Sequence, residues 1–408
     1  MTTPINNDLH LRMPMRSLIV AVALTLLGAG TALYGLNVAP GRTWPSLMLS
    51  GFYVMSLALS AMFFLAIQRV TGARWSAALR RIPEAFALAL PPICVLMLLV
   101  FFFGRQTLFV WMHPGAFDHM TAGGKPQYLQ PGWVLARVVI AFAAWSIVVM
   151  LWRRTSLRQD QEPGENLALH ERLTRYAVMF IPLFAITFTL AAFDWIVSLD
   201  PSWFSTMFGF YVFAGFFVQG IAAVALAAVL LRRREQMRSV ITEQHLHDLG
   251  KMAFAFSTFW AYIWTGQYLL IWYGNIPEEI THFATRTRGP WLYVFALNLI
   301  VNWVIPFVAL LSARAKKSPG LLAAACALLL CGHWVDLYLL IMPSFTPNAP
   351  GLGALEVAIG IGFLSLLYLL ARSALARAPL VPVNDPILAY EESAHPTLAF
   401  HSTFGVEQ

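Results

Sequence analysis

The sequence predicts an all-α integral membrane protein that crosses its bilayer about ten times, and three observations predict it. Hydrophobic residues make up 59% of the 408 and charged residues only 12%, with a mean hydropathy of +0.66, far from the composition of a water-soluble domain. The apolar residues are gathered into runs of about 20, the length that carries a helix across about 30 Å of hydrocarbon. The cations crowd into every second connection between those runs.

The runs fall at 17–38, 47–68, 85–104, 132–152, 176–194, 204–231, 252–273, 290–313, 320–341 and 352–371. The first reads as a span, because Gly35-Leu36-Asn37 and Pro40 follow it where a cleaved signal has small residues. Twenty-one of the 27 Lys and Arg residues lie in one set of alternating segments, among them Arg12, Arg16, Arg80, Arg81, Arg153 and Arg232; five lie in the opposite set, and Arg137 falls inside a span. That asymmetry predicts both termini on the cytoplasmic side. The formal charge of +7 does not indicate a nucleic-acid partner, since no basic block is longer than Arg232-Arg233-Arg234 and each lies beside an apolar run. Past Arg377 come Pro379, Pro382 and Pro386 and a polar stretch ending at Gln408, read as an extended cytoplasmic arm on a neighbour.

A weak repeat appears where the fifth and ninth spans end. Asp194 is followed after six residues by Pro201-Ser-Trp, and Asp336 after six residues by Pro343-Ser-Phe. Two parallel four-helix units explain this, with one flanking span on each side. The boundaries are 1–46 for the N-terminus and first flanking span, 47–203 and 204–350 for the two bundles, 351–378 for the last flanking span and 379–408 for the tail.

Ionisable groups inside a span are expensive and are functional candidates by default. Asp194, His333 and Asp336 fall near the outer interface, with Arg137 and Glu356 at similar depth and Gln267 and Asn298 as neutral donors. A carboxylate and an imidazole there suit the acceptance of two protons from a quinol. The competing readings are that Arg137 and Glu356 reach to the headgroups and that His333 with Asp336 ties helices together. Toward the cytoplasm, Glu84 at the third span and His247, Asp248 and Lys251 at the seventh suit either the mouth of a proton path or plain capping and anchoring. His245 and His247 point apart on a helix and make no metal site. Cys94, Cys326 and Cys331 all sit in apolar runs and read as buried hydrophobes. His333 is the one histidine well inside a span, so this chain builds no bis-histidine haem in the membrane, and no phosphate loop or nucleophile motif occurs. Any electron carrier belongs to a partner. The aromatic load, dense at Phe101 to Phe103, Trp260 to Trp264 and Trp272-Tyr273, is expected mostly at the lipid face and interfaces.

Several long stretches resemble a known family. They are Phe193-Asp-Trp-Ile-Val-Ser-Leu-Asp-Pro-Ser-Trp-Phe-Ser-Thr-Met-Phe-Gly-Phe-Tyr211, Glu243-Gln-His-Leu-His-Asp-Leu-Gly-Lys251, Phe259-Trp-Ala-Tyr262, the run from Gln267 to Glu279, and His333-Trp-Val-Asp-Leu-Tyr338. Together with Val383-Asn-Asp-Pro386 they are similar to the F subunit of bacterial alternative complex III, a relative of the NrfD-like polysulfide-reductase membrane subunits. The resemblance spans 47–343. It implies ten spans, built as two four-helix bundles with flanking helices, in a bacterial cytoplasmic membrane. It also implies a place in a quinol:cytochrome c oxidoreductase complex with a larger NrfD-like sister subunit, multihaem cytochrome c subunits and an iron–sulfur subunit. Haems and clusters would then sit on those partners, a quinone such as menaquinone would be the only cofactor within reach, and the chain would be inactive alone. A scaffold subunit without its own quinone or proton role is the alternative, and a free-standing transporter is a third reading.

Overall fold

A computed structural model describes residues 14–117, 125–162, 166–386 and 388. Arg12 and the tail end at Gln408 lie outside the described residues. Every regular element among the described residues is helical, and ten helices dominate. They are α1 (Met15–Val38), α2 (Pro40–Val70), α3 (Arg81–Leu108), α4 (Pro131–Gln161), α5 (Leu167–Trp195), α6 (Phe208–Arg232), α7 (Glu243–Gly274), α8 (Trp291–Ala309), α9 (Pro319–Ile341) and α10 (Ala354–Ala376). Nine of the ten are long and apolar enough to cross a membrane, so the chain is a multi-pass membrane protein. The exception is α7, long enough at 32 residues but diluted by Gln267 and a run of Trp and Tyr, whose polar edges lower its hydropathy.

Local chemistry sets the helix ends. Pro91 and Pro92 lack the amide hydrogen that would continue α3, so the helix pauses between Ala87 and Leu90. The Asn166 side chain caps α5 by accepting from Leu169 N–H, Thr242 caps α7, and Asn275 closes α7 in the left-handed conformation at φ 49°. A π-helical turn, Ile300–Val304, interrupts α8, a distortion common at functional sites.

Two helices make the centre. The apolar window of α2 is 94% buried and that of α6 is 83% buried, against 22% for α1. They approach closely because small residues face each other: a Cβ at Gly220 would meet Ser60 Oγ at 1.8 Å. Where lipid tails compete equally for apolar surface, such close backbone packing is what holds helices together. α2 also packs on α3 and α5, and α4 on α3 and α5, while α7 and α9 both pack on α6 and on α8. α10 lies across α2, and α1 packs on α10.

Burial separates the aromatics that composition could not sort. Phe101, Trp260 and Trp264 turn inward, whereas Phe103, Tyr262, Trp272 and Tyr273 face outward. Cys94 and Cys326 are buried, but Cys331 is exposed, which corrects the expectation of three buried thiols: one residue before Gly332, it lies on the outward face of α9. Residues 377–385 are irregular, as their prolines require, and lie against this chain's own helices; the rest of the tail expected on a neighbour is outside the described residues apart from 386 and 388. Val383 N–H donates to Asp160 and the Asn384 amide to the Glu162 carbonyl at 2.7 Å.

The crossing of α1 on α10 offers a test. A Cβ at Gly28 would stand 2.6 Å from Gly362 Cα, backbone that cannot give way, whereas Gly30 faces open space. Gly28→Ala is expected to lower stability by about 1–3 kcal/mol in a detergent thermal melt, and Gly30→Ala to cause no loss. Equal melting of the two variants would remove this crossing from the packing argument.

Candidate functional site

The sequence singled out polar groups inside apolar helices, and the structure sorts them by partner. On α9, three residues put His333 and Asp336 on one face, turned toward α6 and α7. The Asp336 carboxylate is 5% exposed and is held by three neutral donors. The Tyr211 hydroxyl and the Asn298 amide, the latter at 2.7 Å, donate to Oδ1, and Trp260 Nε1 donates to Oδ2 at 3.2 Å. Asn302 extends the chain by donating to Asn298 Oδ1 at 2.6 Å. No lysine or arginine among the described residues bonds this carboxylate. His333, 2% exposed, meets the Trp260 ring edge-on at 5.6 Å, and among the described residues neither ring nitrogen has a protein partner. Beyond it, where α2 meets α6, Ser56 donates to Gln219 at 3.2 Å and Gln219 to the Tyr53 carbonyl at 2.9 Å.

Asp194, at the matching place on α5, has the opposite environment. Arg137 of α4 grips it with two bonds, Nε at 3.0 Å and Nη2 at 2.7 Å, while its guanidinium covers the Tyr128 ring at 4.0 Å. That is a cation-locked carboxylate with bidentate geometry. Glu356 is engaged in turn by Arg42 at 2.8 Å and by the Gly353 N–H at 2.8 Å. Arg137 and Glu356 are therefore bonded within the protein, where the headgroup reading had them reaching outward. The expected outer group of Arg137, Asp194, His333, Asp336 and Glu356 comprises three differently partnered centres.

At the arginine-rich end Glu84 is 2% exposed and central to a network. Arg81 donates to it at 2.7 Å, Arg153 at 3.0 Å, Ser156 at 2.6 Å and Trp152 at 3.2 Å, with Arg80 Nε 3.3 Å away. Arg81 also pairs with Asp160, and Arg80 with Asp385 of the tail, whose carboxylate faces Arg69 at 3.8 Å and His170 at 3.7 Å. His247, Asp248 and Lys251 form a different group: Lys251 pairs with Asp248 at 2.6 Å at a half-exposed position, and His247 Nδ1 is buried without a hydrogen-bond partner among the described residues. The four residues read as one inner path thus divide, with Glu84 in the α3–α4–tail network and the others on α7.

Residues beyond the expected set also matter. His282 stacks on Trp203 at 3.8 Å, stands 4.0 Å from Asp200 and precedes Arg286, which donates to the Leu339 and Leu340 carbonyls at 2.9 and 2.8 Å. Burial, reinforced by the neighbouring Arg286 cation, pushes the His282 pKa well below the ordinary histidine range. Burial also lowers the Arg286 pKa to about 10, with Asp200 and Tyr211 opposing the change. Asp385 and Tyr211 lay within stretches that carried the family resemblance; for Asp160, His282 and Arg286 nothing in the sequence marked the partner. Among the described residues, no group of three or more His, Cys, Asp or Glu side chains is arranged to hold a metal ion. No protein-family model and no curated protein matches the chain.

Two outcomes follow from these geometries. Glu84→Gln leaves buried guanidinium charge without its counterion and should cost about 3–5 kcal/mol, whereas Glu243→Gln, whose carboxylate is 66% exposed and 3.9 Å from Arg232, should change stability by less than about 1 kcal/mol. Thermal melts of both variants check this. For His282 the folded pKa lies below the unfolded value of about 6.5, so the unfolded chain binds more protons as pH falls. Its contribution is complete above that value and is lost progressively below it, at up to about 1.4 kcal/mol per pH unit. His282→Asn should flatten the stability profile below pH 6.5, and an unchanged slope would show that this imidazole does not titrate as described.

Proposed function

We propose that the chain is a membrane subunit of a quinol:electron-acceptor (cytochrome c) oxidoreductase complex of the alternative complex III type, contributing a proton path rather than electron carriers. One observation carries the reading: among the described residues, Asp336 is a buried carboxylate held only by neutral donors. Asp194, by contrast, is locked by Arg137. A carboxyl without a fixed counterion can take up and release a proton without stranding a cation, which is what a proton acceptor near a quinol needs.

Other features support the reading. In the helix neighbours, α2 to α5 make one closed ring of contacts and α6 to α9 another, as two four-helix bundles would. Asp194 is bonded from the third helix of the first ring by Arg137, and Asp336 from the third helix of the second by Asn298, which extends the internal repeat beyond its short motif. α7 acts as the tenth span, since its polar edges are largely indole and phenol. The charge asymmetry orients the arginine-rich end and both termini toward the cytoplasm of a bacterial inner membrane. Asp336 and His333 then belong to the outer half-path, and Glu84, His247, Asp248 and Lys251 to two inner features. Partners are a larger NrfD-like sister subunit that would hold the quinol, multihaem cytochrome c subunits and an iron–sulfur subunit.

The scaffold reading also has an observation in its favour: the carboxylates of the Glu84 and Asp194 centres are both ion-paired with arginines, and such groups fix helices without chemistry. The complex separates the two. Asp336→Asn is expected to lower quinol-dependent cytochrome reduction about 100-fold with haem content unchanged, while Asp194→Asn should chiefly weaken assembly. Full turnover in assembled Asp336→Asn complex would remove the proton role and leave the scaffold.

A further inference from the structure

A small chamber lies between α2, α6 and α9, and every residue that lines it is buried. About 10 Å³ of it is open to the centre of a water molecule, close to the space one water needs. Its polar lining is Ser56, Gln219, His333 and Asp336, and the remaining wall is apolar apart from the Gly215 backbone. The glycine makes the room: a Cβ there would stand 3.3 Å from His333 Nδ1 and 3.3 Å from the Trp260 ring.

The unused hydrogen-bonding capacity points to the occupant. Both nitrogens of a 2% exposed imidazole have no protein partner among the described residues, an arrangement that is costly unless something small satisfies them. Asp336 Oδ2 accepts one bond, from Trp260, and Gln219 Oε1 accepts one, from Ser56, so each oxygen has a lone pair to spare. A buried water commonly makes about three hydrogen bonds, and this chamber supplies that many groups. A quinone ring does not fit in such a volume.

We infer that the chamber binds a single water molecule joining His333 to Asp336, and that this centre handles protons while excluding quinone. The relay is balanced. The Asp336 carboxyl gives a proton to the water, the water gives one to the imidazole, and a carboxylate–imidazolium pair forms with the water regenerated; the reverse step restores both neutral groups. The relay role rests on the proton-path reading above, whereas the water site itself does not.

An experimental map of the chain within its complex, at a resolution that shows interior waters, tests this. One peak within hydrogen-bond distance of a His333 nitrogen and of Asp336 Oδ2 is expected. A map with well-resolved interior waters elsewhere and none in the chamber would overturn the site, as would density for a larger molecule. Gly215→Ala is expected to expel the peak and shift the Asp336 carboxyl stretching band in infrared difference spectra; an unchanged peak and band would equally count against it. If Gly215→Ala fails to fold, the unmodified protein's map still decides. Turnover of Asp336→Asn keeps the two ideas apart. A water peak with unaffected turnover retains the site and sinks the relay, whereas an absent peak with lowered turnover sinks the site and retains the proton-path reading.

Discussion

The close crossing of α2 on α6 is the contact on which the rest of the interior depends. Ser60 and Gly220 let the two backbones approach to a distance that no larger pair permits, and where apolar surface alone gives little drive to associate, that intimacy is the binding force. It also sets the polar interior. Tyr53, Ser56 and Gln219 bond one another across the crossing, and the Tyr53 hydroxyl donates to the Leu330 carbonyl of α9 at 2.8 Å. The same approach that joins the helices thus brings their few polar groups beside the histidine and aspartate of a third.

The two aspartates of the internal repeat show how one motif acquires two chemistries. Each lies in the C-terminal part of a long helix that is followed by a short 3-10 turn, Val197–Leu199 after one and Met342–Ser344 after the other. The difference lies in what the third helix of each set offers, a guanidinium in one and a carboxamide in the other. A cation makes a fixed hinge of charge, whose separation is strongly unfavourable in a low-dielectric setting. An amide, a phenol and an indole stabilise the carboxylate less and leave protonation open. The same short motif thus carries one ion-paired and one neutrally bonded carboxylate.

Much of the architecture was legible because lipid imposes simple rules. Helix-length apolar runs could only be helices, and residues such as Asp194, His333, Asp336 and Glu84 stood out as charges in the wrong solvent. What pattern could not supply was pairing. Arg137 and Asp194 are 57 positions apart and Tyr211 and Asp336 are 125 apart, and nothing in local spacing says which buried group finds which. The same gap explains the tail: Val383-Asn384-Asp385-Pro386 was noticeable as a motif, but its docking depends on Arg80 and Asp160 being brought together by helices folded elsewhere. Cys331 was misjudged for a related reason, since in a membrane an apolar run has an outward face that is also apolar and periodicity does not distinguish the two.

The Asp385 contact has a consequence for biogenesis. Its partner Arg80 lies 305 residues earlier in the chain, so during synthesis the arginines around Arg80 emerge long before this counterion exists. When Asp385 arrives, it joins a cluster that already holds Glu84 and Asp160. The segment around Asp385 therefore behaves as a late clasp: a nascent or truncated chain lacking it holds its arginines without the closed ionic network.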